Sequence, residues 1–221
     1  MPYPCVGLVA SGGHTSLFLV HSPLELERLG GTIDDAAGEA FDKAAALLGL
    51  GYPGGPEIER AAIGGNPRAH KLPRPLRSDH DRLDMSFSGL KTALRYLVRP
   101  VGAPADTPPP EGQARADLAA SFQQAAVDSI IAKVELAVEK TGVRAVAVGG
   151  GVAANTALRE ALESLGKRRG LTVIVPPKSL CTDNAAMGAI AWERLERGDD
   201  DGLELDVRPG TDRAAANRRS A

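Results

Sequence analysis

Residues 145–175, AVAVGGGVAANTALREALESLGKRRGLTVIV, decide the fold. Ala145–Val148 is a short apolar run with the length of a buried strand. It runs into Gly149-Gly150-Gly151, and a helix is expected over Asn155–Arg169, ending in Lys167, Arg168 and Arg169 at its negative pole. Thr172–Val175 supplies a second buried strand, and a further helix is expected over Thr182–Glu196. Strand alternating with helix argues for parallel strands with helices packed on the sheet. A triple glycine beyond the carboxyl end of a strand, opening a helix, is where α/β proteins bind nucleotides. It is neither a dinucleotide fingerprint, since no acid stands about 20 residues on, nor a P-loop, since no Gly-Lys-Ser/Thr follows. Asn155 is read either as a helix cap or as a ligand contact.

Toward the N-terminus, Val6–Ala10 and Ser16–Val20 flank Ser11-Gly12-Gly13-His14-Thr15, a strand–turn–strand pattern. The turn is either a plain hairpin or a nest of backbone N–H groups for an anion. Ser11 and His14 do not make a hydrolase pair, because G-x-S-x-G is absent and no acid is placed to orient them. Leu24–Gly31 fits a short strand or a helical turn. Asp34–Leu48 reads as a helix with acids at its positive end and Phe41, Ala44, Ala45 and Leu48 on one face. Asp35, Glu39 and Asp42 share another face. Asp42 sits beside Phe41 and needs a partner if buried, for which Lys43 is available.

Glycines and prolines at 49–56 end that helix, and Pro56 belongs to the first turn of the next, which runs to about Ile63. Residues 64–86 are irregular and proline-stiffened, and between Asn66 and Arg82 they are basic: Arg68, Lys71, Arg74, Arg77 and Arg82, with His70 and His80, stand against only Asp79 and Asp81. Such a loop is either a solvated surface or a phosphate-backbone contact. Ser88 is the expected N-cap of a helix to Val98. The loop 100–112 is the one strong linker signal, and a long helix follows over Gln113–Thr141. Asp183, in Cys181-Thr182-Asp183-Asn184, is either a capping acid or a single carboxylate ligand for a metal.

Composition agrees with a folded α/β chain: 221 residues, 43% hydrophobic, 24% charged, 4% aromatic and 25 glycines. Net charge near −2 gives no global electrostatic case for a nucleic-acid partner, so any such contact must be local. Cys5 and Cys181 lack metal or redox spacing and are expected to be buried thiols. No apolar run approaches the roughly 18 residues of a membrane span, and the N-terminus lacks a signal-peptide pattern. A cytoplasmic protein with no membrane partner is expected.

The ordered set SGGHT, TIDDAAGEAFDKAAALLGLGYPGGP, SFSGLKTAL, GGGVAANTALR, CTDNAAM and DVRP resembles the tRNA N6-adenosine threonylcarbamoyltransferases from about Val6 to Pro209. The resemblance implies a lobe of the actin-like ATPase, sugar-kinase and chaperone-ATPase (ribonuclease H-like) class, an α/β mixed sheet with flanking helices. It also implies transfer of a threonylcarbamoyl group from threonylcarbamoyl-adenylate to the N6 amine of an adenosine beside the tRNA anticodon, releasing AMP. By resemblance Val9, Ala10, Ser11, Gly12 and Gly13 lie along the phosphate and carbamoyl end of the adenylate. Asp42 and Gly55 contact the nucleoside, Asn155 holds the nucleotide, and Asp183 ligates one divalent metal, iron in the first place or zinc. Partners implied are threonylcarbamoyl-adenylate, tRNA and other subunits of the modification machinery.

The family pattern also includes an N-terminal lobe with an H-x-x-x-H helix supplying two metal histidines. This sequence starts after that point, so a C-terminal lobe over 1–209, with a disordered tail 210–221 and weak activity alone, is expected. A non-catalytic scaffold subunit is the alternative, and an ATP-dependent kinase of the same superfamily ranks lower.

Overall fold

The computed structural model describes residues 1–104 and 107–199. The segment Asp206–Pro209 and the tail 210–221 lie outside the described residues. Five strands form one sheet: β1 (Cys5–Ala10), β2 (Thr15–Ser22), β3 (Glu25–Gly31), β4 (Ala145–Gly149) and β5 (Thr172–Ile174), in the order β3-β2-β1-β4-β5. β1 pairs antiparallel with β2 and parallel with β4, β2 with β3 is antiparallel, and β4 with β5 is parallel. This is the mixed sheet with flanking helices of a ribonuclease H-like, actin-like ATPase lobe. Leu24–Gly31 resolves into strand β3, whose pairing with β2 shifts register between Leu17 and Phe18 and between Val20 and Ser22.

The helices are α1 (Ala37–Leu47), α2 (Gly54–Ala61), α3 (Ser88–Val98), α4 (Gly112–Thr141), α5 (Thr156–Arg169) and α6 (Ala189–Glu196). The apolar faces of α1 to α5 meet β1 and β4 in one core, in which Phe41 of α1 and Phe122 of α4 cross edge to face with centroids 5.4 Å apart. The core elsewhere is small-residue-rich, with Ala40, Ala44, Ala119 and Ala125 wholly buried. Cys5 and Cys181 are buried free thiols. Among the described residues no helix is long and apolar enough to cross a membrane.

Four local expectations are corrected. Helix α1 starts at Ala37, not Asp34, because the two preceding acids are used elsewhere. Asp34 Oδ1 accepts from the backbone of Phe87 (2.8 Å) and Ser88 (3.2 Å), and Oδ2 from the hydroxyls of Ser86 (2.5 Å) and Ser88 (2.7 Å). Asp34 thus satisfies the start of α3 from 53 and 54 residues upstream, and Ser88 is the first helical residue, not the cap. Lys43 does not pair with Asp42. It bridges Asp35 and Glu39, each at 2.7 Å, and Asp35 also takes Lys91 at 2.9 Å. Helix Thr182–Glu196 is broken into a 3-10 turn (Ala185–Gly188) and α6, since Asn184 accepts from Ala186 N and donates to Thr182 O, diverting the backbone. α6 leaves Ile190, Trp192 and Leu195 exposed.

Burial raises the Asp34 carboxyl's pKa, but the hydrogen bonds from Ser86, Phe87 and Ser88 outweigh it and hold it below the ordinary value. A depressed carboxylate contributes stability above its unfolded pKa, and that contribution disappears as pH falls through the folded pKa. Asp34→Ala is therefore expected to lower stability at neutral pH by about 1–2 kcal/mol, since the side chain is partly solvated. The gap from the parent should close in acid. Urea melts across pH 2–7 would check this; a gap that stays constant into acid would refute it.

Candidate functional site

The site forms where β1 and β4, lying parallel with Val9 opposite Gly149, release their chains at the same edge of the sheet. After β1 the Ser11–His14 turn is closed by Ser11 N to His14 O (2.8 Å) and His14 N to Ser11 Oγ (3.1 Å). The Ser11 hydroxyl is thereby engaged with the backbone of His14, which agrees with the exclusion of a serine hydrolase. Gly12 and Gly13 are exposed, with no atom in the space a side chain would take. Val9 is half-exposed at 40% and Ala10 wholly buried.

This turn is fixed to the start of α1. Thr15 Oγ1 accepts from Ala37 N (2.8 Å) and Ser11 O from Gly38 N (3.1 Å), filling two of the helix's orphan donors. Gly38 is required because a Cβ there would lie 2.6 Å from Ser11 O and 2.8 Å from Gly12 Cα. After β4, Gly150 (φ +91°, ψ 166°) lies against the backbone of Ala10. The following 3-10 turn, Gly151–Ala154, packs against β1, β4 and α1. The two glycine turns are therefore neighbours.

Asp42, on α1, accepts from Gly54 N at 2.7 Å and so caps α2 from outside. α2 has no side-chain cap of its own, because Pro53 stands at that position. Gly54 must be glycine, since a Cβ would come within 2.5 Å of Asp42 Cα, whereas Gly55 faces open space. Asn155 caps α5, its Oδ1 accepting from Leu158 N at 3.0 Å. Its amide also donates to Gln123 (2.8 Å) and Glu59 (3.4 Å), and it is only 7% exposed. Of the two readings of Asn155, the cap is what the structure shows, and its amide is engaged by Gln123 and Glu59.

Glu59 was missed by sequence reasoning. It accepts from Thr156 N at 3.3 Å as well as from Asn155, a pairing across 97 positions that no local pattern announces. Asp183 is exposed and makes no hydrogen bond in the structure. Its segment is held to the first turn of α5, because Arg159 Nη2 donates to Pro176 O (2.6 Å) and to Cys181 Sγ (3.2 Å), and Lys178 donates to Thr156 Oγ1 (3.0 Å). Val9–Gly13 and the triple glycine share one edge, Asp42 and Gly55 share the α1–α2 crossing, and Asn155 joins α2, α4 and α5. Among the described residues no three His, Cys, Asp or Glu side chains come together as a metal site.

Comparison with known proteins adds to this geometry. The family model for tRNA N6-adenosine threonylcarbamoyltransferase (TsaD) matches residues 2–190. Proteins of that name from Rhodopirellula baltica (44% identical, 96% of this chain and 62% of the relative) and Brucella anthropi (50%, 89% and 54%) are similar to it. So is one from Paraburkholderia xenovorans (52%, 90% and 57%). The chain thus spans 54–62% of the length of these relatives. A crystal structure of HypF from T. kodakarensis superimposes with a TM-score of 0.62 at 15% identity, over 88% of this chain and 34% of that one, a likeness of fold alone.

Proposed function

The chain belongs to the tRNA N6-adenosine threonylcarbamoyltransferase family, and from that premise we propose that it forms the adenylate-holding wall of a threonylcarbamoyl-transfer site. The reaction is attack by the N6 amine of a tRNA adenosine, beside the anticodon, on the carbamoyl carbon of threonylcarbamoyl-adenylate. The C–N bond forms, the bond from that carbon to the phosphate oxygen breaks, AMP leaves, and the amine loses a proton. An adenine amine is a weak nucleophile, so the protein's work is to orient it and to stabilise charge growing on the carbamoyl and phosphate oxygens.

The observation that carries this reading is the adjacency of the two glycine turns at the carboxyl ends of β1 and β4. Open Gly12 and Gly13 supply unobstructed backbone N–H groups suited to an acyl phosphate. Asp42 and Gly55 take the nucleoside, with the free Asp42 oxygen accepting from ribose hydroxyls. Asn155 closes the nucleotide side. Asp183 contributes one ligand to a divalent metal, iron or zinc, whose remaining ligands lie beyond this set of residues. Other subunits of the modification machinery complete the assembly.

Asp42→Asn is the sharpest test, because an amide oxygen still accepts from Gly54 N while the charge is gone. Calorimetric titration with AMP or a stable adenylate analogue is expected to show binding at least about tenfold weaker, with the melting temperature unchanged. Unaltered affinity would remove Asp42 from the site. Threonylcarbamoyladenosine in tRNA incubated with the full set of components tests the reaction. ATP turnover without tRNA would indicate the kinase alternative instead.

A further inference from the structure

Residues 66–82 have no helix or strand, yet they are fastened along α4 by a series of side chains. Asp117 accepts from Asn66 N (2.8 Å), and Ser121 Oγ accepts from His70 N (3.2 Å) and donates to Asn66 O (3.3 Å). Asp128 holds Arg74 through two bonds of 2.8 and 3.0 Å. Lys133 is only 1% exposed and donates to the carbonyls of Asp79 (2.6 Å) and Arg82 (2.8 Å). Lys140 reaches Asp81 O at 3.3 Å. The segment is a strap, and the cost of burying an ammonium at Lys133 is met by the two carbonyls it fixes.

The anchors sort the strap's cations into two groups. Arg74 is turned inward to Asp128 and Leu72 O, and Arg82 is paired with Asp79. Arg68, Lys71 and Arg77 are exposed, and among the described residues their side chains have neither hydrogen bonds nor ion pairs. Leu76, between Arg74 and Arg77, has φ +57°, the one non-glycine residue with positive φ among those described. A left-handed leucine costs about 1–2 kcal/mol, and here it stands at the turn that separates the inward arginine from the outward one. Strain retained at such a point is a pointer to function rather than to packing.

We infer that this strap is a phosphate-contacting surface for RNA, with Arg68, Lys71 and Arg77 as its contacts; as a surface for tRNA it rests on the function proposed above. A polyanion is the partner its chemistry fits. Three unpaired cations ride on a backbone already immobilised, so little ordering entropy is lost when phosphates are met. The chain as a whole is slightly acidic, which confines RNA attraction to such a patch.

The test is binding of labelled tRNA to this chain by fluorescence anisotropy over a series of KCl concentrations. Each phosphate contact contributes roughly 0.7–0.9 to the slope of log K against log salt. The triple variant R68A/K71A/R77A is expected to lower that slope by about 2 and to weaken binding at low salt by on the order of tenfold to hundredfold. R68K/R77K, which keeps the charge, should retain the slope. The control R144A/K167A, which removes two exposed cations elsewhere, should leave slope and affinity as they were. An unchanged slope in the triple variant, or an equal fall in the control, overturns the strap assignment. An unrelated RNA hairpin bound as tightly as tRNA, with the same dependence on the three cations, would uphold the strap and count against the tRNA reading.

Discussion

Gly150→Ala is expected to cost about 3 kcal/mol or more of folding stability and to abolish the proposed adenylate binding. Two effects add at this position. Its φ of +91° and ψ of 166° lie in a region open essentially only to glycine, so any side chain is strained before it touches a neighbour. A Cβ there would also stand 2.4 Å from the carbonyl oxygen of Ala10 and 2.8 Å from its carbon. That neighbour is the last residue of β1, paired within the sheet, and it cannot yield without moving the Ser11–His14 turn. Gly149→Ala and Gly151→Ala are the controls, since neither meets an atom within 4 Å nor has a positive φ. Each should stay within about 1 kcal/mol of the parent in urea melts. Equal losses at all three positions would show that this contact does not govern the loop.

Phe122→Ala is expected to cost about 3–5 kcal/mol, the range for a wholly buried phenylalanine. Phe122 is fully buried on α4 and meets Phe41 at 88°, so truncation leaves a cavity and ends an edge-to-face contact. Phe122→Leu keeps most of the volume and should cost about 1–2 kcal/mol. Distance makes the functional consequence informative. Phe41 precedes Asp42, so loosening α1 against α4 also loosens the carboxylate that caps α2. Phe122→Ala should therefore weaken adenylate binding even under conditions where it remains folded, while Phe122→Leu should not. Denaturant melts and calorimetry on the same samples would separate the two effects, and a folded Phe122→Ala that binds like the parent would break the proposed link.

The parts of the fold that were legible in the sequence are those governed by short-range rules. The glycine turns at 11–14 and 149–151, the strand–helix alternation from 145 to 175 and the long amphipathic α4 all rest on spacings of a few residues. What was illegible lies in pairings over 12 to 97 positions. Asp34 capping α3, Asp42 capping α2, Glu59 holding the start of α5 and Lys133 fixing the strap each join segments that only the folded chain brings together. Asp42 is instructive because its oddness, an acid beside a core phenylalanine, was visible while its partner was not. The adjacent Lys43 was the nearest candidate in sequence and the wrong one, since neighbouring helical side chains diverge by about 100°. The break before α6 escaped notice because apolar periodicity does not register a single asparagine that prefers its own backbone.

The two free borders of the sheet decide how this molecule can join others. Along β3 the outward residues include Glu25, Glu27 and Arg28, and the two register shifts against β2 distort the ladder. The opposite border, β5, is three residues long. Charge, irregular pairing and brevity are the devices by which natural sheets refuse an added strand. Among the described residues, β-augmentation is thereby disfavoured at both borders, which leaves the helices, turns and strap as the faces open to association.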